Sequence, residues 1–258
     1  MMKYLWLELY KLKHRKVFLT FLVILGVELL FVFSNYGNNN NFLNMISDPA
    51  APAWEDLIIG PAAINGLFFP ILAAVIASRI CDMEHKGNTW KLLECNNQNR
   101  RSIWFCKFTI VSTLMMLAIF IQAFIIIAYG NSVGIVQPLP VRTLLGFVLG
   151  TAMITFVVVT IQVFFSLVCT NQLIPMSIGM IGALIGFIST LLPPGIRNIL
   201  IWGNYAELMV LGQDTSSGNL QSSGLVVRNI NFVPLAILFV VGLVAYVVFR
   251  KRFEKYEY

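Results

Sequence analysis

Residues able to do chemistry are few in this chain. Two histidines, His14 and His85, and four cysteines, Cys81, Cys95, Cys106 and Cys169, are the whole stock of soft metal ligands. They form no C-x-x-C pair and no H-E-x-x-H, so the ligand spacings of zinc sites and metalloproteases are missing. No Ser or Cys has an evident base beside it, and both histidines fall outside the apolar runs, which speaks against an intramembrane hydrolase. The chain therefore carries no catalytic or metal-ligating residue, and its thiols are read as reduced and inert. The phosphate-binding signature G-x-x-x-x-G-K-[ST] is absent as well. Without that nest of backbone N–H groups, ATP-driven work requires a second subunit.

A secondary transporter offers another source of energy, and it needs ionisable groups inside its helices. Glu28 is the one clear case well inside an apolar run, with Gln122 and Gln162 as the other polar groups of note at that depth. A proton relay needs a chain of such partners. Glu28 is five residues from the end of its run, within snorkelling reach of the headgroups. Structural placement, a subunit interface and contact with a translocation path all remain open for Glu28, Gln122 and Gln162.

The richest polar segment is Asp82-Met83-Glu84-His85-Lys86-Gly87-Asn88-Thr89-Trp90-Lys91-Leu92-Leu93-Glu94. It is too polar to cross a bilayer and holds a small apolar cluster of Trp90, Leu92 and Leu93. Such a segment can form a short amphipathic helix that docks into a partner's groove, or one that lies on the membrane surface. Arg100, Arg101 and Lys107 follow and suit lipid phosphates or acidic partner residues, while Trp104 and Phe105 suit an interfacial aromatic belt. In the first 16 residues Leu5, Leu9 and Leu12 recur at helical spacing, and Glu8, Lys11 and Arg15 occupy another face. That pattern fits a helix lying along the inner leaflet, or a merely basic flank.

The elements that must position these residues follow from composition. Of 258 residues 58% are hydrophobic and 12% charged, against about 25% charged in soluble domains. A soluble globule cannot hide so much apolar surface, and disordered and disulfide-stapled classes are excluded as well. Six apolar runs, near 17–33, 61–80, 108–129, 143–168, 175–192 and 232–249, are each near the roughly 20 residues of a bilayer crossing. The first is followed by Ser34-Asn35-Tyr36-Gly37 and not by a signal-peptidase site, so it is read as a retained anchor.

Orientation comes from the basic residues. Lys3, Lys11, Lys13, Arg15 and Lys16 precede the first run; Arg79 ends the second, and Lys86, Lys91, Arg100, Arg101 and Lys107 lie between it and the third. Arg250, Lys251, Arg252 and Lys255 follow the last, so 15 of the 18 Lys and Arg residues fall on one side. The positive-inside rule then puts both termini in the cytosol. The net charge of +6 is accounted for by topology and anionic-lipid contact; no basic surface interleaved with aromatics suggests nucleic acid. The fold class is an all-α polytopic membrane protein with six transmembrane helices, one domain over 1–258. It comprises an interfacial segment 1–16, a cytosolic loop 81–107 and an extracellular loop 193–231. In that last loop Ile199-Leu200-Ile201-Trp202 and Leu208-Met209-Val210-Leu211 are apolar but too short to span, which fits either a re-entrant segment or a loop packed on the bundle. Gly146-x-x-x-Gly150 and Gly182-x-x-x-Gly186, with Gly179, permit close helix contacts, and Pro70 and Pro234 are candidate kinks.

With its basic N-terminal segment, its six helices, and Glu84, Gly87, Leu92-Leu93, Arg100 and Lys107 between the second and third, the chain resembles ABC-2-type transporter permeases. More narrowly, it resembles those of lantibiotic-immunity and bacitracin-resistance exporters. The resemblance implies an elbow helix over 3–16. It also implies a coupling helix over 84–94 in which Glu84, Gly87, Trp90, Leu92, Leu93 and Glu94 meet a separate ATPase. Two ATPase copies carrying ATP and Mg, a second permease identical or paralogous, and a bacterial plasma-membrane location are implied with it. The implied function is export of an amphipathic antimicrobial peptide in self-immunity. Export of a drug, lipid or polysaccharide, or a structural or assembly role, would leave a similar sequence.

Overall fold

In the computed structural model the described residues are 6, 8, 10–12, 16–37, 39–87, 99–213 and 225–255. Six helices are long and apolar enough to cross a membrane. In chain order the elements are α1 (Val17–Tyr36), α2 (Asn40–Ile46), α3 (Ala53–Gly87), α4 (Arg100–Ser132), α5 (Val141–Val168), α6 (Leu173–Ile188), α7 (Pro194–Arg197) and α8 (Phe232–Glu254). Spanning length belongs to α1, α3, α4, α5, α6 with its 3-10 extension to Leu191, and α8. All six expected crossings are helices, and no further helix among the described residues qualifies. A ribbon of two antiparallel strands, β1 (Leu211–Gln213) and β2 (Leu225–Val227), is a small β addition to the helical plan.

Two helices outrun their apolar cores. α3 has 35 residues and α4 has 33, about 50 Å each at 1.5 Å per residue, against an apolar slab of roughly 30 Å. Their excess turns carry the charged ends into the aqueous layers, which is why an apolar run at 61–80 understates the helix around it. Asn99 caps α4, its side-chain oxygen accepting from the N–H of Arg101. At the far end of α5, Gln172 donates to the carbonyls of Ser166 and Cys169, satisfying acceptors that the helix terminus leaves open.

Small residues set the packing of the bundle. Pro70 has no N–H to return to the Gly66 carbonyl four residues earlier. A Cβ on Gly66 would come within 2.9 Å of the Gly186 oxygen, and one on Gly186 would overlap the Gly66 carbonyl, so α3 and α6 cross backbone against backbone. Gly179 meets α3 again at Ala74 and Pro70, Gly182 receives Trp202, and Gly150 receives Leu208 and Leu235. The glycine spacing thus places close approaches, as small-residue faces do in membranes. At the end where α3 stops and α4 begins, Trp104 is fully buried against Phe164, Tyr246 and Phe253. This corrects the expectation of a lipid-facing belt residue: the aromatic ring instead joins α4, α5 and α8.

Candidate functional site: a charge ring at the base of the bundle

The N-terminal segment enters α1 through Lys16, whose φ of 52° and ψ of 25° are left-handed. That conformation is costly for a non-glycine residue and turns the chain sharply, so Glu8, Tyr10, Lys11 and Leu12, helical before the turn, fold back on the bundle. Leu12 is buried there, while Trp6 and Tyr10 stack at 5.9 Å on the exposed side, as interfacial aromatics do.

This fold-back brings four charges together. Lys107 Nζ donates to Glu8 Oε2 at 3.1 Å, to Glu84 Oε1 at 3.3 Å and to the Ile80 carbonyl at 3.0 Å. Lys11 Nζ donates to Glu8 Oε1 at 2.6 Å and to Glu84 Oε1 at 2.9 Å. Two carboxylates and two ammonium groups alternate in a closed, electrically neutral ring spanning the N-terminal segment, the last turn of α3 and the first turns of α4. Lys107 is 0% exposed and the carboxylates of Glu8 and Glu84 only 7% and 3%. Lys11, at 33%, is the member that meets solvent. Charges this buried persist only when paired and hydrogen-bonded on every side.

The ring alters the reading of three site residues. Glu8 and Lys107 were expected at the lipid interface and Glu84 on a face toward an ATPase; all three side chains point inward. The reason is burial of α4's first turns beneath the N-terminal segment, which gives Lys107 no route to the headgroups. Glu84 and Gly87 belong to the last turn of the long α3, not to a separate helix. Arg100 and Arg101 open α4. Arg15, Trp90, Leu92, Leu93 and Glu94 lie outside the described residues. Next to the ring, His85 Nε2 lies 3.1 Å from the Ser166 carbonyl and ties α3 to α5.

A second polar cluster lies deeper. Gln122 Nε2 donates to Glu28 Oε1 at 2.6 Å and to Asn65 Oδ1 at 2.8 Å, joining α1, α3 and α4. Turned over, the Asn65 amide donates to Glu28 at 2.7 Å and to the Pro61 carbonyl at 3.1 Å, so either orientation keeps it in the cluster. Glu28 is fully buried and does not snorkel. Among the described residues no basic side chain pairs with it. Asn65 was missed by the sequence reading, although a lone amide inside the run 61–80 was the available signal. Gln162 stands apart: oriented by its neighbours, it donates to the Pro175 carbonyl at 3.1 Å and accepts from the Gly179 N–H at 3.2 Å, bridging one turn of α6.

At the opposite end the 3-10 segment Trp202–Leu208 enters the bundle. Tyr205 is fully buried, its hydroxyl 3.0 Å from that of Thr155 and its ring 6.0 Å from Phe69. Thr155 and Phe69 lie about halfway along α5 and α3, so this segment reaches the middle of the helices. Arg197 clamps its base by donating from Nε and Nη2 to Glu207.

This arrangement links helix to helix at three levels of the bundle. A family model described as ABC-2 family transporter protein matches residues 4–186. The chain belongs to the ABC-2 transporter family. Comparison with curated proteins and with solved structures gives no match. Membership makes the chain the multi-pass membrane permease of an ABC transporter, with ATP hydrolysis in an associated ABC ATPase. The match covers the N-terminal segment, both polar clusters and five of the six long helices, and stops at the Gly186 crossing.

Proposed function

We propose that this permease is half of the membrane pathway of a bacterial exporter, paired with a second permease and two ATPases in the plasma membrane, with both termini in the cytosol. The observation that carries the reading is the closed ring of Glu8, Lys11, Glu84 and Lys107 at the two helix ends flanking residues 88–98. Force applied to that segment by an ATPase enters α3 and α4 together, because breaking one corner of the ring exposes a buried charge. α3 then transmits the displacement as a single helix to its crossing with α6 and to the inserted segment Trp202–Leu208. Trp90, Leu92, Leu93 and Glu94 are assigned the contact with the ATPase. Glu84 is assigned to the lever behind that contact, and Glu28, Asn65 and Gln122 to holding α1, α3 and α4 in register.

The substrate is assigned as an amphipathic antimicrobial peptide, supported by the sequence's resemblance to lantibiotic-immunity permeases. Co-purification tests the permease assignment: Trp90→Asp combined with Leu93→Asp releases the ATPase while membrane insertion is kept. Undiminished co-purification refutes the docking role. Cells with and without the transporter, challenged with a panel of membrane-active peptides, test the substrate; equal sensitivity to every peptide removes the immunity assignment.

A further inference from the structure

Beside the ring, but outside it, lies a cavity of about 430 Å³ between the last turns of α3 and the short α5–α6 connection. Its donors are unusual for the end of a helix bundle. Ser78 is 3% exposed, and its hydroxyl has no hydrogen-bond partner although it lines the cavity. Arg79 stands next to it, and among the described residues nothing pairs with its guanidinium. Asp82, which could neutralise it, is already engaged by Lys86 at 2.7 Å. The first turn of α6 borders the same space; its N–H groups are taken, Leu173 donating to Asn171 Oδ1 at 3.0 Å and Ile174 to the Asn171 carbonyl at 3.2 Å, so it adds the positive end of a helix dipole and no free donor. One acceptor faces in as well: Gln172 Oε1 is buried without a donor, since the amide nitrogen is spent on α5.

We propose that this cavity binds the headgroup of an anionic glycerophospholipid, the phosphodiester on Arg79 and Ser78 and a headgroup hydroxyl donating to Gln172 Oε1. The guanidinium matches phosphate oxygens in a planar fork. Two observations select a lipid over a soluble phosphate. The cavity floor continues onto Leu173 and Met176 of α6, and Leu173 and Ile174 are exposed at the start of an apolar face that runs on through Met180, Ile181 and Leu184. An acyl chain below a headgroup at Arg79 lies along that face. The level is also right, because the cavity sits at the end of the bundle where basic residues concentrate, the side of anionic lipids. Bound there, the lipid bridges α3 and α6 at the end opposite their Gly66–Gly186 crossing. The site requires only that the chain span a membrane and is independent of what it exports.

Detergent-purified full-length chain, titrated separately with phosphatidylglycerol, phosphatidylcholine and inorganic phosphate, tests this by native mass spectrometry and by the shift in melting temperature. Phosphatidylglycerol binds at least tenfold tighter than phosphatidylcholine. Arg79→Gln lowers phosphatidylglycerol affinity about tenfold and leaves phosphatidylcholine unchanged, while Arg79→Lys keeps at least a third of it. Lys86→Gln, at an exposed position, causes a smaller loss of a few-fold and serves if Arg79→Gln does not fold. Arg142→Gln, the same charge change at the opposite end, has no effect. Phosphatidylglycerol affinity unchanged in Arg79→Gln, or equally reduced in Arg142→Gln, overturns the site. Inorganic phosphate displacing the lipid at equal concentration overturns the lipid as its occupant. Loss of ATPase co-purification in Arg79→Gln with lipid binding intact overturns it in favour of subunit docking.

Discussion

Lys107→Met tests the charge ring directly. The substitution keeps the aliphatic length of the side chain and deletes one ammonium that is 0% exposed and donates to Glu8, Glu84 and the Ile80 carbonyl. Two buried carboxylates then face one ammonium, that of Lys11, within the ring, and the ring carries a net negative charge away from water. Removing one partner of a buried ion pair costs about 3–5 kcal/mol. Lys11→Met removes the other cation, but from a position one-third exposed, where water and counter-ions reach the vacancy; its cost is about 1 kcal/mol. The double variant Lys107→Met with Glu84→Gln restores neutrality, leaving Glu8 with Lys11, and recovers about 2 kcal/mol of the single-variant loss, a coupling within the range for contacting residues. Denaturant unfolding of the detergent-solubilised chain, followed by tryptophan fluorescence, measures the parent, these three variants and Glu84→Gln alone, which closes the cycle. Trp104, packed close to Lys107 in sequence and fully buried, is a local reporter. Lys107→Met within 0.5 kcal/mol of the parent, by this order-of-magnitude scale, or a double variant no better than the sum of the singles, refutes the buried ring.

Two further outcomes follow from the bundle interior. Gly186→Ala places a methyl group on the Gly66 carbonyl, where backbone and not a yielding side chain must move, so it destabilises by about 1–3 kcal/mol; Gly26→Ala, with open space around it, is neutral or slightly stabilising in the same melt. Glu28→Gln keeps an acceptor for Gln122 and alters stability little, whereas Glu28→Leu removes the acceptor at 2.6 Å and leaves the buried Gln122 amide with Asn65 alone, at a cost of about 1–3 kcal/mol. Equal effects of those two Glu28 variants would show that the hydrogen bonds do not hold this cluster together.

Membrane character, the count and order of six helices, and the close-packing glycines were legible in the sequence. Each depends on a property that is local along the chain: apolar length against a bilayer of fixed thickness, charge on one side of alternate runs, and absence of a side chain at every fourth residue. Family membership was legible for the same reason, since the segments between the second and third helices are contiguous. The missing P-loop needed no structure.

Where the scarce charges point was decided only by the tertiary structure. Glu8 and Lys107 are 99 residues apart, and Glu28 and Gln122 are 94 apart. No local pattern distinguishes a lysine at the headgroups from one sealed under a neighbouring segment. The left-handed turn at Lys16 and the extra turns of α3 and α4 are what bring Glu8, Lys11, Glu84 and Lys107 into one ring. Sequence periodicity assigns a side chain to a helix face; which neighbour covers that face is set by long-range packing. Burial, in turn, decides whether a charge is a surface contact or a structural pair. Four members of the charged minority that falls largely on one side of the apolar runs thus clamp, in the folded chain, the N-terminal segment to the ends of α3 and α4.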